Sequence, residues 1–505
     1  MTLFSSPFVQ HARRSTLWLG LAATGCHGMD SMSTSYAYEG GAPLLAAPPV
    51  EPDAPAINGF VSTRDDALAT FAVDVDTASY TRARSAIERG ELPAQSEVRV
   101  EEFINYFASA DEAPQGDDAA PFAVHLEAAP SPFGEGLHLL RVHLAGREVP
   151  PAERPRANLV FLVDVSGSMA SPDKLGLVQH ALTRLTETLR ADDTVGVVVY
   201  AGQAGVLLEP TPAAQRGRIL SAIESLTAGG STNGEGGIRA AYALASDAFI
   251  RGGINRVVLC TDGDFNVGVT GDALVELVEA EKARGITLTT AGFGQSRYND
   301  AQMEALADHG DGNALFMDSP REAERAFVAD LQGTLQVIAK DAKVQVKLDP
   351  RVVQRWRLVG YENRDVADED FANDRVDGGE IGAGHRVTAF IELELTPDAA
   401  ALDAAVPLAT VSVRAKAPDG VRSAGVERAL ALDALRADAS EATDDFLFGA
   451  AVAEVAEVLR ASPFVGATAA SLEVAEALAA EYAGDDPEKA DFVTLVGRVR
   501  TLVGP

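Results

Sequence analysis

Leu159-Val160-Phe161-Leu162-Val163-Asp164-Val165-Ser166-Gly167-Ser168-Met169 is the stretch from which the chain can be read outward. Five consecutive apolar residues suit a strand buried on both faces. The run then passes directly into an Asp, two Ser and a Gly. Downstream, Leu175, Val178, Leu182, Leu185 and Leu189 recur at helical spacing,. Residues 195–200 read as a strand, and Ile219, Ile223 and Leu226 mark a helix. A helix over 238–249, a strand over 256–261, a helix over 272–284 and a strand over 286–291 follow,. Strands alternating with helices through short turns such as Arg284-Gly285 predict an α/β domain at 157–340, with a doubly wound, mainly parallel sheet.

In such a sheet, ligands bind beyond the carboxyl ends of the strands. Three segments bring oxygen groups there. The first is Asp164-Val165-Ser166-Gly167-Ser168. The second is the loop Gly229-Gly230-Ser231-Thr232-Asn233-Gly234, and the third is Asp262-Gly263-Asp264 after the strand ending at Thr261. Two carboxylates and three hydroxyls form a hard, all-oxygen set suited to Mg²⁺, with Mn²⁺ or Ca²⁺ as the other candidates. Taken singly, Asp and Ser at a strand-to-helix turn also serve as helix caps.

Taken together, the three limbs resemble the metal-ion-dependent adhesion site of von Willebrand factor A domains. The resemblance implies that Ser166, Ser168 and Thr232 are direct metal ligands. It implies that Asp164 and Asp262 act mainly through bound water, and that an open coordination position accepts an acidic residue of a protein partner. Two flanking segments, Phe71-Ala72-Val73-Asp74-Val75-Asp76-Thr77-Ala78-Ser79-Tyr80 and Val98-Arg99-Val100-Glu101-Glu102-Phe103-Ile104-Asn105-Tyr106-Phe107, are similar to a region preceding the A domain in one bacterial lipoprotein-like family. So are 261–269, Gly360-Tyr361-Glu362-Asn363-Arg364 and the C-terminal region, which in that family is a domain of unknown function. The resemblance runs from about residue 71 to the end.

The N-terminus reads as an export signal over 1–25. A basic His11-Ala12-Arg13-Arg14 precedes a short apolar run at 17–23, and Thr24-Gly25 leads into Cys26,. This order resembles a bacterial lipobox, with Ala23 where the motif prefers Leu. Cys26 is the expected lipidation site and the chain is expected at the cell envelope, held by a lipid anchor alone. Residues 26–58, rich in Gly and Pro, read as a disordered tether. The one other cysteine, Cys260, lies in an apolar run and reads as a buried thiol. With 74 acidic against 42 basic residues and a net charge of −32, the chain is not expected to bind nucleic acid.

The remaining expected divisions are an N-terminal region at 59–120 and a β-segment at 121–156. After the A domain come a second β-segment at 341–425, forming a sandwich with the first, and a helical C-terminal domain at 426–505. Asp74, Asp76, Thr77 and Ser79 read as the end of a strand and a cap for a helix carrying Tyr80, Ala83 and Ile87, in preference to a second metal motif. The sequence lacks a His-Glu-x-x-His pair, a phosphate loop and a hydrolase elbow, so neither an enzyme nor a small-molecule substrate is expected. The expected function is divalent-metal-dependent protein binding, in adhesion or assembly. The alternatives are an envelope scaffold with a structural metal, or an adaptor for a AAA-type ATPase.

Overall fold

The expected first strand is β5 (Ala157–Asp164), the middle of a six-stranded sheet. The computed structural model describes residues 56–505 apart from 116–119, 151, 232–233, 264–270, 295–299, 330–332, 334, 377, 419, 421–422, 467 and 505. The export signal, Cys26, most of the tether and Thr232 lie outside the described residues. β5 pairs in parallel with β6 (Thr194–Tyr200) on one side and β8 (Ile254–Thr261) on the other. β9 (Thr287–Phe293) and β10 (Ala314–Met317) extend the parallel sheet beyond β8.

Alternate β5 residues face opposite cores, as period-2 geometry requires. Leu159, Phe161 and Val163 pack with α3 (Leu177–Thr188), α4 (Arg216–Glu224) and α8 (Pro320–Glu324). Val160 and Leu162 pack with α5 (Gly234–Asp247), α6 (Gly271–Lys282) and α7 (Asp300–His309). The sheet is therefore doubly wound. Its edge, β7 (Ala204–Pro212), is antiparallel to β6 and has no sequence expectation behind it. Gly205, Pro210 and Pro212 break its pattern, and Val206 and Leu207 stay exposed.

The domain is inserted into a pair of sheets. One has the order β1 (Val61–Ser62), β12 (Val353–Val359), β14 (Arg386–Leu395), β4 (Leu137–Gly146) and β3 (Phe122–Pro130). The other has β13 (Gly379–Gly382), β11 (Val337–Leu348), β15 (Pro407–Lys416) and β16 (Ser423–Ala431), with β2 (Leu68–Ala72) also on β11. Leu140, Val142 and Leu144 of the first sheet share a core with Val344, Val346 and Leu348 of the second. The chain leaves this sandwich after β4 and re-enters it at β11.

Two boundaries differ from the sequence reading. β11 begins at Val337, inside the span assigned to the A domain, and β16 runs to Ala431, inside the span assigned to the helical end. The 59–120 region is no separate piece, since β1 joins one sheet and β2 the other.

The helical end is also shared. α9 (Asp444–Leu459), α10 (Thr468–Tyr482) and α11 (Pro487–Val503) build one core with α1 (Ala78–Glu88) and α2 (Val100–Asn105). Phe107 is at its centre, 5.2 Å from the Tyr80 ring, 5.1 Å from Phe448 and 5.3 Å from Phe492. Leu139, Val359 and Phe390 of the first sheet close this core from below, so that sheet is covered on both faces. No helix among the described residues is long and apolar enough to cross a membrane.

The motif Gly360-Tyr361-Glu362-Asn363-Arg364 ties these layers together. Tyr361 is fully buried against Phe71, ring centroids 4.7 Å apart. Glu362 accepts from Arg460 of the helical end at 2.9 Å, and Asn363 donates to Glu304 of α7 at 2.8 Å. Arg364 pairs with Asp308 of α7 at 3.0 Å and with Asp74 at 3.2 Å. Asp76 accepts at 2.9 Å from the Ala314 amide of β10. Asp74 and Asp76 therefore hold an arginine and a strand end, and Thr77 makes no side-chain cap for α1. The Thr77 hydroxyl accepts from Arg325 instead.

Glu101, 1% exposed, accepts from the Tyr361 amide at 2.9 Å. A Cβ on Gly360 (φ +80°) would sit 2.5 Å from the Glu101 carboxylate, so only glycine fits that turn. Burial, with Asp74 next in weight, pushes the Glu101 carboxyl up to about 7. The folded chain therefore binds this proton more tightly than the unfolded one. The linked stability is full below the unfolded value of 4.5 and is lost as pH rises through about 7,. Glu101→Gln is expected to flatten this slope and to stabilise the protein at pH 8 by roughly 2–3 kcal/mol. Urea unfolding of both proteins at pH 5 and pH 8 measures it; equal slopes would contradict it.

Candidate metal centre

At the carboxyl end of β5 the chain turns through Asp164, Ser166 and Ser168. Asp164 is fully buried. Its Oδ1 accepts from the Ser166 amide at 2.8 Å, and its Oδ2 accepts from the Tyr200 hydroxyl at 3.2 Å and the Thr261 hydroxyl at 3.3 Å. Tyr200 ends β6 and Thr261 ends β8, so both neighbours of β5 lock this carboxylate. Burial raises the Asp164 carboxyl above its ordinary range, against the hydrogen bonds of Ser166 and with a further push from Asp262. The hydroxyls of Ser166 and Ser168 converge to 2.9 Å.

The Gly-rich loop is stitched onto this turn. Gly167 donates its amide to the Gly230 carbonyl at 3.0 Å, and Gly229 donates to the Val165 carbonyl at 2.7 Å. A Cβ on Gly202 of the β6–β7 turn would lie 3.3 Å from the Ser231 hydroxyl. The loop therefore reaches the site up to Ser231, while Thr232 lies outside the described residues.

Asp262 follows β8 and is 3% exposed. Its Oδ2 accepts at 2.8 Å from the ammonium of Lys174, which also donates to the Ser168 carbonyl at 3.1 Å. Its Oδ1 is buried and accepts no hydrogen bond among the described residues. An orphaned buried carboxylate oxygen is costly. Beside two convergent hydroxyls and a second carboxylate, it forms a donor set that fits a hard divalent cation. Among the described residues no group of three or more His, Cys, Asp and Glu side chains is gathered for a metal; the centre here is of a different kind, rich in hydroxyls.

Four expected site residues, Asp164, Ser166, Ser168 and Asp262, thus meet. Three participants had no expectation attached. Tyr200 and Thr261 carry no pattern beyond their strand ends. Lys174 stands six residues after Ser168, next to Asp173, and carries no pattern of its own. The Cys260 thiol is fully buried, and burial pushes it well above its ordinary range, as an inert core residue requires,.

Comparison with known proteins bears on the whole chain. Residues 53–141 match the family model described as von Willebrand factor, and residues 159–264 match the one described as von Willebrand factor type A domain. Residues 333–502 match the model for the C-terminal region of the uncharacterized protein YfbK. YfbK of Escherichia coli is 38% identical over 451 residues, covering 85% of this chain and 77% of that protein. The chain belongs to the YfbK family. An uncharacterized protein of Synechocystis is 27% identical over 212 residues, 42% of this chain and 50% of its own length. Among solved structures, a von Willebrand factor type A protein of Catenulispora acidiphila is 17% identical, with a TM-score of 0.45 over 75% of this chain and 89% of that one. The YfbK C-terminal match begins before β11 and ends in α11, so it spans sandwich strands as well as helices. Von Willebrand factor A domains are in general protein-interaction modules, and the YfbK family carries one in the middle of its chain.

Proposed function

We propose that this chain is a protein-binding module of the cell envelope that grips an acidic residue of its partner through a divalent cation. Ser166, Ser168 and Thr232 would ligate the ion directly, and Asp164 and Asp262 would hold its water. The observation that carries the reading is the buried Asp262 Oδ1, unpartnered among the described residues, beside the converged Ser166 and Ser168 hydroxyls. A bound Mg²⁺ would supply a positive charge with a coordination position open to a carboxylate. Tyr200 and Thr261 fix Asp164 so that little side-chain freedom remains to be lost on loading,. Anchoring through a lipid on Cys26 completes the proposal, and loss of fatty-acid labelling in Cys26→Ser tests that part.

Wild type at 100 times Kd of Mg²⁺ is expected to gain about 2.7 kcal/mol over the chelated protein. Asp164→Ala is expected to show none of that gain. Melting curves in Mg²⁺ and in chelator check this, and identical shifts in both proteins would reject the site. Capture from a solubilised envelope extract in the same conditions separates adhesion from scaffolding. A partner retained only by wild type in Mg²⁺ is expected; one retained equally in all conditions would make the metal structural.

A further inference from the structure

Lys174 sits inside the candidate centre as a fixed positive charge. It is 8% exposed, and its ammonium is held between Asp262 Oδ2 at 2.8 Å and the Ser168 carbonyl at 3.1 Å. The stem is held as well. Gly294, at the end of β9 with φ +86°, lies so close that a Cβ there would be 2.5 Å from Lys174 Cγ. The turn Pro172–Gly176 that carries Lys174 is wound as a π-helix directly after the Asp-x-Ser-x-Ser segment. Backbone winding, a glycine and two acceptors all place this one charge.

Its placement sets the charge of the site. The described charged groups that converge there are Asp164 and Asp262, two negative charges, and Lys174, one positive; Asp264 lies outside the described residues. Lys174 takes one Asp262 oxygen and leaves the other, Oδ1, buried with no hydrogen-bond partner among the described residues.

We propose that Lys174 is the specificity-determining residue of the centre: it weakens divalent-cation binding and leaves the loaded site with a net positive charge that selects a carboxylate ligand. This rests on the metal-site reading above. With two carboxylates alone, a divalent ion would be neutralised and an anionic partner would gain little. With Lys174 present, the described groups and the ion together sum to one positive charge, and one partner carboxylate neutralises it. The cost falls on the metal, because a fixed unit charge a few ångströms from a divalent ion lowers its affinity by about tenfold or more even at the dielectric of water.

The test uses the mature chain, Mg²⁺ and acetate as the carboxylate probe. Calorimetry gives the Mg²⁺ Kd with and without acetate for wild type, Lys174→Gln and Lys174→Met, the last keeping an apolar stem over Gly294. Both variants are expected to bind Mg²⁺ about tenfold more tightly than wild type. The tightening of Mg²⁺ binding by acetate, present in wild type, is expected to shrink or vanish in both. A merely structural role for Lys174 would weaken metal binding in the variants or leave it unchanged, and either result overturns the inference. If wild type itself binds no Mg²⁺, the metal-site reading fails first and this one with it, an outcome distinct from unchanged binding among the three proteins.

Discussion

Glu457→Ala is expected to cost about 3–5 kcal/mol, because it removes the carboxylate shared by two buried guanidinium groups. Glu457 on α9 accepts from Arg357 of β12 at 2.9 Å and from Arg460 at 2.8 Å. Arg357 is 2% exposed and also pairs with Glu392 of β14 at 2.6 Å, while the Phe464 ring covers its guanidinium at 4.4 Å. Arg460 reaches on to Glu362. Burial works against the Glu457 charge, but Arg460 and Arg357 prevail and hold the carboxyl below its ordinary range. Removing Glu457 therefore leaves two buried cations facing each other, with Glu392 and Glu362 as their remaining partners. The double variant Arg357→Met/Glu457→Met removes charge of both signs and is expected to lose much less than the sum of its single changes. Urea unfolding measures all of these; a single-variant loss under about 1 kcal/mol would place the pair in solvent-like surroundings.

The second large effect lies where the A domain meets its flanks. Glu322 of α8 accepts from Arg84 of α1 at 2.9 Å, from Arg325 at 2.6 Å and from the Tyr106 hydroxyl at 2.8 Å. Arg84 is also forked onto Asp318, two hydrogen bonds of 2.7 Å, and Arg325 lies over the Tyr106 ring at 4.3 Å. Burial opposes the Glu322 charge, and Arg325 and Arg84 outweigh it. Glu322→Ala is expected to cost about 3–4 kcal/mol, while Tyr106→Phe, which removes one hydrogen bond to a charged acceptor, costs about 1.5–3 kcal/mol. Because Glu322 joins α8, near the end of the A domain, to α1, its loss should also speed proteolytic cleavage within residues 319–336. Unchanged cleavage with a lowered melting point would mean that the whole chain, not this junction, is loosened.

The sequence disclosed most where its signals are local. The β5 run, the Asp-x-Ser-x-Ser turn and the helix of Leu182 and Leu185 are patterns of contiguous residues, and each formed as read. Such short-range patterns carry their own structural instruction, because side-chain period alone decides which faces are apolar. β7 and β10 were not legible, since prolines and a glycine blur the period of the first and the second is four residues long. Arg355-Trp356-Arg357 shows the limit from the other side. Strand alternation puts both arginines on the face opposite Trp356, yet α9 covers Arg357 and makes it part of a buried ion network,.

By itself, then, the sequence determined the doubly wound central domain and that Asp164, Ser166, Ser168 and Asp262 meet at the sheet's carboxyl end. Topology rules place those strand ends together whatever surrounds them. Only the tertiary structure decided which strands from before and after that domain share a sheet. It alone showed that Glu322 answers to an arginine 238 residues away, and that Lys174 sits on an aspartate 88 residues away. Period-2 and period-3.6 patterns fix which side of an element is buried, but they are blind to its partner. The sign and burial of a charge pair depend on both partners, and those are brought together only by the packed fold.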